Sequence, residues 1–115
     1  MGVDITLYLV RDDSDKLRRV RGRSMELPRS RTLAGHLEGK GEEIPGLFYA
    51  PLPGSRRGKW SDVDSYGSRL RIVSVEYLQS LDWTLYLKDY DPELKDQIIE
   101  EFARWGDGKV VLYWS

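Results

Sequence analysis

The chain contains no cysteine. That excludes disulfides, thiolate zinc sites and thiol catalysis, and it fits a reducing compartment. Histidine occurs once, at His36. No apolar run approaches the roughly 20 residues needed to cross a bilayer. The opening MGVDITLYLVRDD has neither a basic region ahead of an apolar one nor a small-residue cleavage site, so a secretory signal is not expected. Gly2 invites comparison with a myristoylation motif, but Leu7 departs from that motif.

What is present fits one globular domain spanning residues 1–115, because two cores in so short a chain would each be too small. Apolar residues make up 40% and charged residues 32%, which places the chain with folded, soluble proteins. The net charge of −1 conceals a division. Residues 1–60 carry 12 Lys/Arg against 8 Asp/Glu; residues 61–115 carry 6 against 11. Either the halves attract each other or a basic face meets an anionic partner.

Periodicity assigns most of the elements. VDITLYLV alternates, with Val3, Ile5, Leu7 and Leu9 on one face and Asp4, Thr6 and Tyr8 on the other, so it predicts a strand. RDDSD is a turn, and KLRRVRGR is the second arm of a hairpin, expected at a sheet edge where its cations discourage further pairing. Ser30 caps a short helix carrying Leu33 and Leu37 that ends near Gly39. Leu70 and Ile72 mark a strand, and Ser74 caps a helix bearing Tyr77, Leu78 and Leu81. TLYLKDY reads as extended. DPELKDQIIEEFARWGDG is the clearest helix: Asp91 at the N-cap, Pro92 at N1, Gly106 at the end, and Leu94, Ile98, Phe102 and Trp105 along one face. Its Glu93, Asp96, Glu100 and Glu101 are expected to face water. KVVLYWS is a strand apolar on both faces, suited to the middle of a sheet.

Residues 39–64 show no period. They hold three of the five prolines and five of the eleven glycines, and they predict a long loop within the domain. The expected fold is therefore α+β: a small mixed sheet made of the N-terminal hairpin and the C-terminal strand, two or three helices on one face, and that loop across an edge.

Four segments carry a further similarity: MGVDITLYLV, RTLAGHLEGKGEEIPG, YGSRLRIVSVEYLQSLDW and WGDGKVVLYWS. The first resembles a Met-Gly-(Thr/Cys)-Asp-Ile-His opening. The second is similar to a Leu-Phe-Ala-x-Leu-Ala-Gly-Val-Arg segment with a Gly-Pro-rich loop behind it. The third resembles His-Ser-x-Ser-Tyr/Trp-Leu-Thr-x-x-Glu-Leu-Leu-x-x-Asp-Trp, and the last a Val-Arg-Ile-Val-Phe-Trp-Phe-like closing strand. Together they resemble a family of small bacteriophage proteins. The resemblance implies a phage or prophage origin and a place in the host bacterial cytoplasm, and it brings no mechanism with it. Asp4, Asp82 and Trp83 match the pattern; Thr6 and the Tyr66-Gly67-Ser68 stretch stand where that family has histidine.

Catalytic signatures are weak. His36 has no recognisable partner motif. SDVDS and DYDPE lack the spacing, central Gly and terminal Glu of a calcium loop, and Asp91 is better used as a cap. GKGEE and GSRRGKW lack the Gly-Lys-Ser/Thr ending of a phosphate-binding loop. No catalytic residue, metal ligand or cofactor is assigned, and a non-enzymatic binder is expected.

The binding candidates lie in GLFYAPLPGSRRGKW, where Tyr49, Arg56, Arg57, Lys59 and Trp60 combine the residue types that dominate interface hot spots. Leu47 and Phe48 are expected to anchor this segment to the body. A second basic patch comprises Lys16, Arg18, Arg19, Arg21 and Arg23, five cations in eight positions. Three partner classes stay open: a host protein machine that the protein would inhibit in host takeover or anti-defence, an anionic nucleotide-like signal that it would sequester, and a nucleic acid. The sequence sets no oligomeric state.

Overall fold

The computed structural model describes residues 4–51 and 57–115. Its strands are β1 (Ile5–Asp13), β2 (Lys16–Glu26), β3 (Glu42–Glu43), β4 (Leu47–Pro51), β5 (Gly58–Ser61), β6 (Arg71–Ser74) and β7 (Lys109–Trp114). Its helices are α1 (Arg31–Leu37), α2 (Val75–Gln79), α3 (Trp83–Tyr86) and α4 (Pro92–Trp105). All seven strands form one sheet in the order β3-β6-β7-β1-β2-β4-β5. Among the described residues, only the β2–β4 pairing is parallel. The class is mixed α+β.

β7 lies in the interior of this sheet, between β6 and β1, as its two apolar faces predict. Alternation sends Val110 and Leu112 to one side and Val111 to the other, and all three are buried. β1 divides in the same way. Ile5, Leu7 and Leu9 join Val110 and Leu112 against the helices, while Val10 and the half-buried Tyr8 join Val111 on the opposite side.

The helix side holds the larger core. Leu33 and Leu37 come from α1, Val75 and Leu78 from α2, Trp83 from α3, and Ile98, Phe102 and Trp105 from α4. Phe102 packs between Trp83 and Trp105, with ring centroids 5.6 Å away on each side. The caps are those the sequence predicts. Ser30 Oγ accepts from Leu33 N–H, Ser74 Oγ from Tyr77 N–H, and Asp91 from Glu93 N–H, and Gly106 leaves α4 with φ 70°. Glu101 departs from expectation: it is half-buried and accepts from the Trp105 indole N–H at 3.0 Å.

The other side of the sheet curls around a second core of Val10, Leu17, Ile44, Phe48, Ala50, Leu70, Ile72 and Val111. Two features produce the curl. Tyr8 pairs with Ser24 and Val10 with Arg19, so β2 spends five residues where β1 spends two. This large bulge is centred on Val20–Arg23 and includes Gly22 at φ 73°, a conformation glycine adopts at little cost. At the far ends, Leu70 N–H donates to Asp62 O at 2.8 Å, and Ile44 N–H donates to Leu70 O at 3.0 Å. These bonds tie the continuation of β5 to the approach to β6 and draw the sheet into a half-barrel.

Several expectations are corrected. The sheet is larger than a hairpin plus one strand, and four helices pack on it rather than two or three. Residues 39–64 are not one long loop: β3, β4 and β5 all lie within them. β2 is internal rather than an edge strand, because Lys16 and Leu17 pair with Leu47 and Phe48. TLYLKDY is not extended; Asp82 accepts from Leu85 N–H and caps the single turn of α3. Leu47 and Phe48, expected to act together as anchors, separate. Phe48 is fully buried, whereas Leu47 is 39% exposed.

That separation gives a direct check. Phe48→Ala should lower unfolding free energy by about 3–5 kcal/mol through cavity formation, and Leu47→Ala should change it by no more than about 0.5 kcal/mol. Urea unfolding of both variants measures the difference, and equal effects would contradict the assignment of Phe48 to the curled core.

Candidate functional site

Two patches that are far apart in the chain meet on the outer half of the sheet. β4 and β5 form an antiparallel hairpin in which Tyr49 pairs with Trp60. Their rings meet edge to face at 5.0 Å. The parallel pairing with β4 brings the start of β2 alongside. Leu17 turns into the curled core with Phe48, so strand alternation sends Lys16 and Arg18 to the other face, where Tyr49 and Trp60 lie. Lys16 Nζ stands 4.8 Å from the Trp60 ring centroid and the Arg18 guanidinium 5.4 Å from it. Arg19 lies 5.6 Å from the Tyr8 ring and 5.7 Å from the Tyr49 ring.

The result is two groups of rings joined by cations: the Tyr49–Trp60 pair beneath Lys16 and Arg18, and Tyr8 on the curled-core side, which Arg19 links to Tyr49. Each contact contributes roughly 0.5–1 kcal/mol at an exposed site, more where water is excluded. Their larger effect is positional, because a cation resting on an aromatic face has fewer rotamers to lose when it meets a partner. Tyr49 is held in turn by the hairpin: Gly58 N–H donates to Tyr49 Oη at 3.1 Å. A Cβ on Gly58 would lie 2.5 Å from the Tyr49 ring, so the close approach requires glycine.

The charges are unequally used. Arg18 forms an ion pair with Asp13. Among the described residues, neither Lys16 nor Arg19 lies within salt-bridge distance of a carboxylate. Lys59 is exposed and alternates with Trp60 along β5. Arg57 is exposed beside β5. Arg21 lies on the β2 bulge and lines a hollow of about 330 Å³ with Tyr8 and Arg19. Arg23 is half-buried on the same bulge. Arg56 lies outside the described residues. The structure thus unites Tyr49 and Trp60 with Lys16, Arg18 and Arg19, while Lys59, Arg21 and Arg23 flank that group.

Tyr8 belongs to this site and was not among the sequence candidates. Its ring contacts Phe48 at 5.6 Å and Tyr113 at 6.2 Å, linking the cation bed to the curled core. The available signal is an aromatic, Tyr8, on the face of β1 that otherwise carries the polar Asp4 and Thr6. Burial pushes the Tyr8 phenol above its ordinary value, and the charge of Arg19 opposes that rise.

The other sequence candidates have structural roles. His36 is half-buried, with Nε2 3.2 Å from the Tyr77 hydroxyl. Asp64 is buried and accepts from the Tyr66 and Ser68 backbone N–H groups at 2.8 and 3.1 Å, which makes it a turn former. No three His, Asp or Glu side chains converge as metal ligands among the described residues. No described helix is long and apolar enough to cross a membrane.

Compared with protein-family models, curated proteins and solved structures, the chain matches none.

The Arg19–Tyr8 contact can be read by titration. Arg19→Met keeps bulk and removes the charge, so the Tyr8 pKa should rise further; NMR of ring-labelled tyrosine detects it. Because the folded pKa is raised, the stability linked to Tyr8 is fully present below the ordinary value of 10.0 and is lost as pH climbs through the folded value. An unchanged Tyr8 titration in the variant would show that the two groups are not coupled.

Proposed function

We propose that the protein is a non-enzymatic binding module that docks through its β2–β4–β5 face onto an acidic surface of another protein. The observation that carries this reading is the fixed cation bed. Lys16 and Arg18 rest on Trp60, and Arg19 rests on Tyr8 and Tyr49. Buried Trp and Tyr anchors ringed by Arg are the residues that dominate interface energies. Fixed charges steer association and set register. The resemblance to small phage proteins supports a host protein machine as the partner, bound and inhibited in the bacterial cytoplasm during host takeover or anti-defence.

A second reading is favoured by the same neighbours. Tyr49 and Trp60 beside a basic strand are the materials of a single-strand nucleic-acid groove, or of a pocket that sequesters an anionic nucleotide. The occupancy of the rings argues against it. Trp60 already carries two cations and Tyr49 contacts Trp60, so a base would have to displace those contacts before stacking. A protein carboxylate can meet the cations where they stand.

The experiment is capture from bacterial lysate on immobilised protein, with and without nuclease, over a series of salt concentrations. One defined assembly should be retained after nuclease treatment and released progressively by salt. Lys16→Ala/Arg19→Ala should reduce its affinity by about tenfold or more with the fold retained by circular dichroism. Capture that disappears with nuclease, or a nucleotide released on denaturation, would replace the protein-docking reading with the second one. Capture unaffected by the double variant would remove this face from the account.

A further inference from the structure

A second concave site lies on the helix side of the sheet, away from the cation bed. There α1 leaves part of the sheet uncovered. The gap is a cavity of about 480 Å³ between the C-terminal half of α1 and the 64–71 segment. That volume falls in the roughly 300–1,000 Å³ range of small-molecule sites.

Its floor is apolar. Leu112 and Trp114 alternate onto the helix side of β7, and Leu37 of α1 closes the wall. Arg71 is the antiparallel partner of Leu112, so its side chain emerges on the same face beside that floor. Its guanidinium donates to Gly41 O at 2.9 Å and has no carboxylate within salt-bridge distance among the described residues. Bonded to a carbonyl rather than a carboxylate, its charge is not offset by a paired anion, and part of its donor fork stays unused.

The acids nearby do not cancel it. Asp64 lines the cavity but is committed to two backbone N–H groups. Glu38 stands exposed on the α1 rim. Arg69 at the mouth is shared between Glu43 and Asp62. At the lip, Tyr66 is 59% exposed, the most exposed large ring among the described residues. The Asp64 turn presents it there, with Gly67 at φ 81° completing the turn.

We propose that this cavity binds a small, flat, apolar carboxylate. The apolar body lies on Leu37, Leu112 and Trp114 under Tyr66, and the carboxylate is received by Arg71. This site and the docking face are independent: they use different residues, and the failure of either proposal leaves the other standing.

The probe is 1-naphthoate, titrated into 15N-labelled protein with uncharged 1-naphthylmethanol as the comparator. The Trp114 indole N–H, assigned through Trp114→Phe, should shift saturably with a Kd of roughly a millimolar or below. The Trp83 and Trp105 indoles, buried in the helix core, should stay in place. Arg71→Gln should weaken naphthoate by about tenfold or more and leave the alcohol unchanged. Tyr66→Ala removes an exposed ring, leaves the fold alone, and should weaken both ligands by about threefold. Absence of a saturable Trp114 shift overturns the proposal. Equal losses for the two ligands in Arg71→Gln, or none, overturn the carboxylate assignment, and a Tyr66→Ala variant that binds both ligands as before overturns the role of the lip.

Discussion

The structure depends on β7 being buried on both faces. A strand with Val110 and Leu112 on one side and Val111 on the other can be stable only if something apolar covers each side. Four helices do so on one side. On the other side there is no helix among the described residues, and the sheet covers itself. It curls until Phe48, Ala50, Leu17 and Ile44 reach Val111. The bulge in β2 and the bonds through Leu70 are the backbone means to that end. The candidate docking face follows from the same curl, because bringing β4 over the start of β2 is what sets Trp60 beside Lys16 and Arg18.

Two neighbouring residues of β2 show how one strand serves both needs. Leu17 is buried against Phe48, while Lys16 leans on Trp60. Burial of Leu17 fixes the strand's rotation, and the rotation aims Lys16. Arg19 lies at the start of the bulge, where the chain leaves regular pairing, and it reaches rings on two strands, Tyr8 of β1 and Tyr49 of β4. The positions of these charges are consequences of core packing. A destabilised curled core would disperse the cations even if every one of them remained.

Sequence periodicity made much of this legible. β7, α1, α2 and α4 have clear periods or cap residues and form where these signals place them; β1 does too but runs on through Arg11–Asp13, where RDDSD reads as a turn, so that the turn shrinks to Ser14 and Asp15. The segment 39–64 was opaque for a physical reason. Its strands are two to five residues long, too short for alternation to register, and its prolines read as breaks. Pro51 is tolerated because it stands at the last position of β4. α3 escapes a reading by periodicity because TLYLKDY alternates like a strand; the Asp82 cap is the stronger signal. In the site, residue types were legible but their meeting was not. Nothing local announces that Lys16 will lie over Trp60, because that contact arises from a parallel pairing between residues some thirty positions apart in the chain.

The segment from β5 to β6 links the two candidate sites. It begins with Trp60 under the cations, passes Asp62, whose carbonyl accepts from Leu70, turns at Asp64, presents Tyr66, and ends with Arg71 beside Leu112. Its midpoint is pinned to β7 as well: Ser65 N–H donates to Trp114 O at 3.2 Å, and Ser65 Oγ lies 3.3 Å from the Tyr113 hydroxyl. Tyr113 in turn contacts Tyr8, which lies under Arg19. A chain of direct contacts therefore runs from the cation bed through Tyr8 and Tyr113 to the lip of the cavity. Contact alone does not make two sites cooperate, since coupling requires an element with two arrangements. The Asp64 turn, with its buried carboxylate bonded to two backbone N–H groups, is built to hold one arrangement. That rigidity suits a cavity whose lip must stay open, and it makes independence of the two sites the physical expectation.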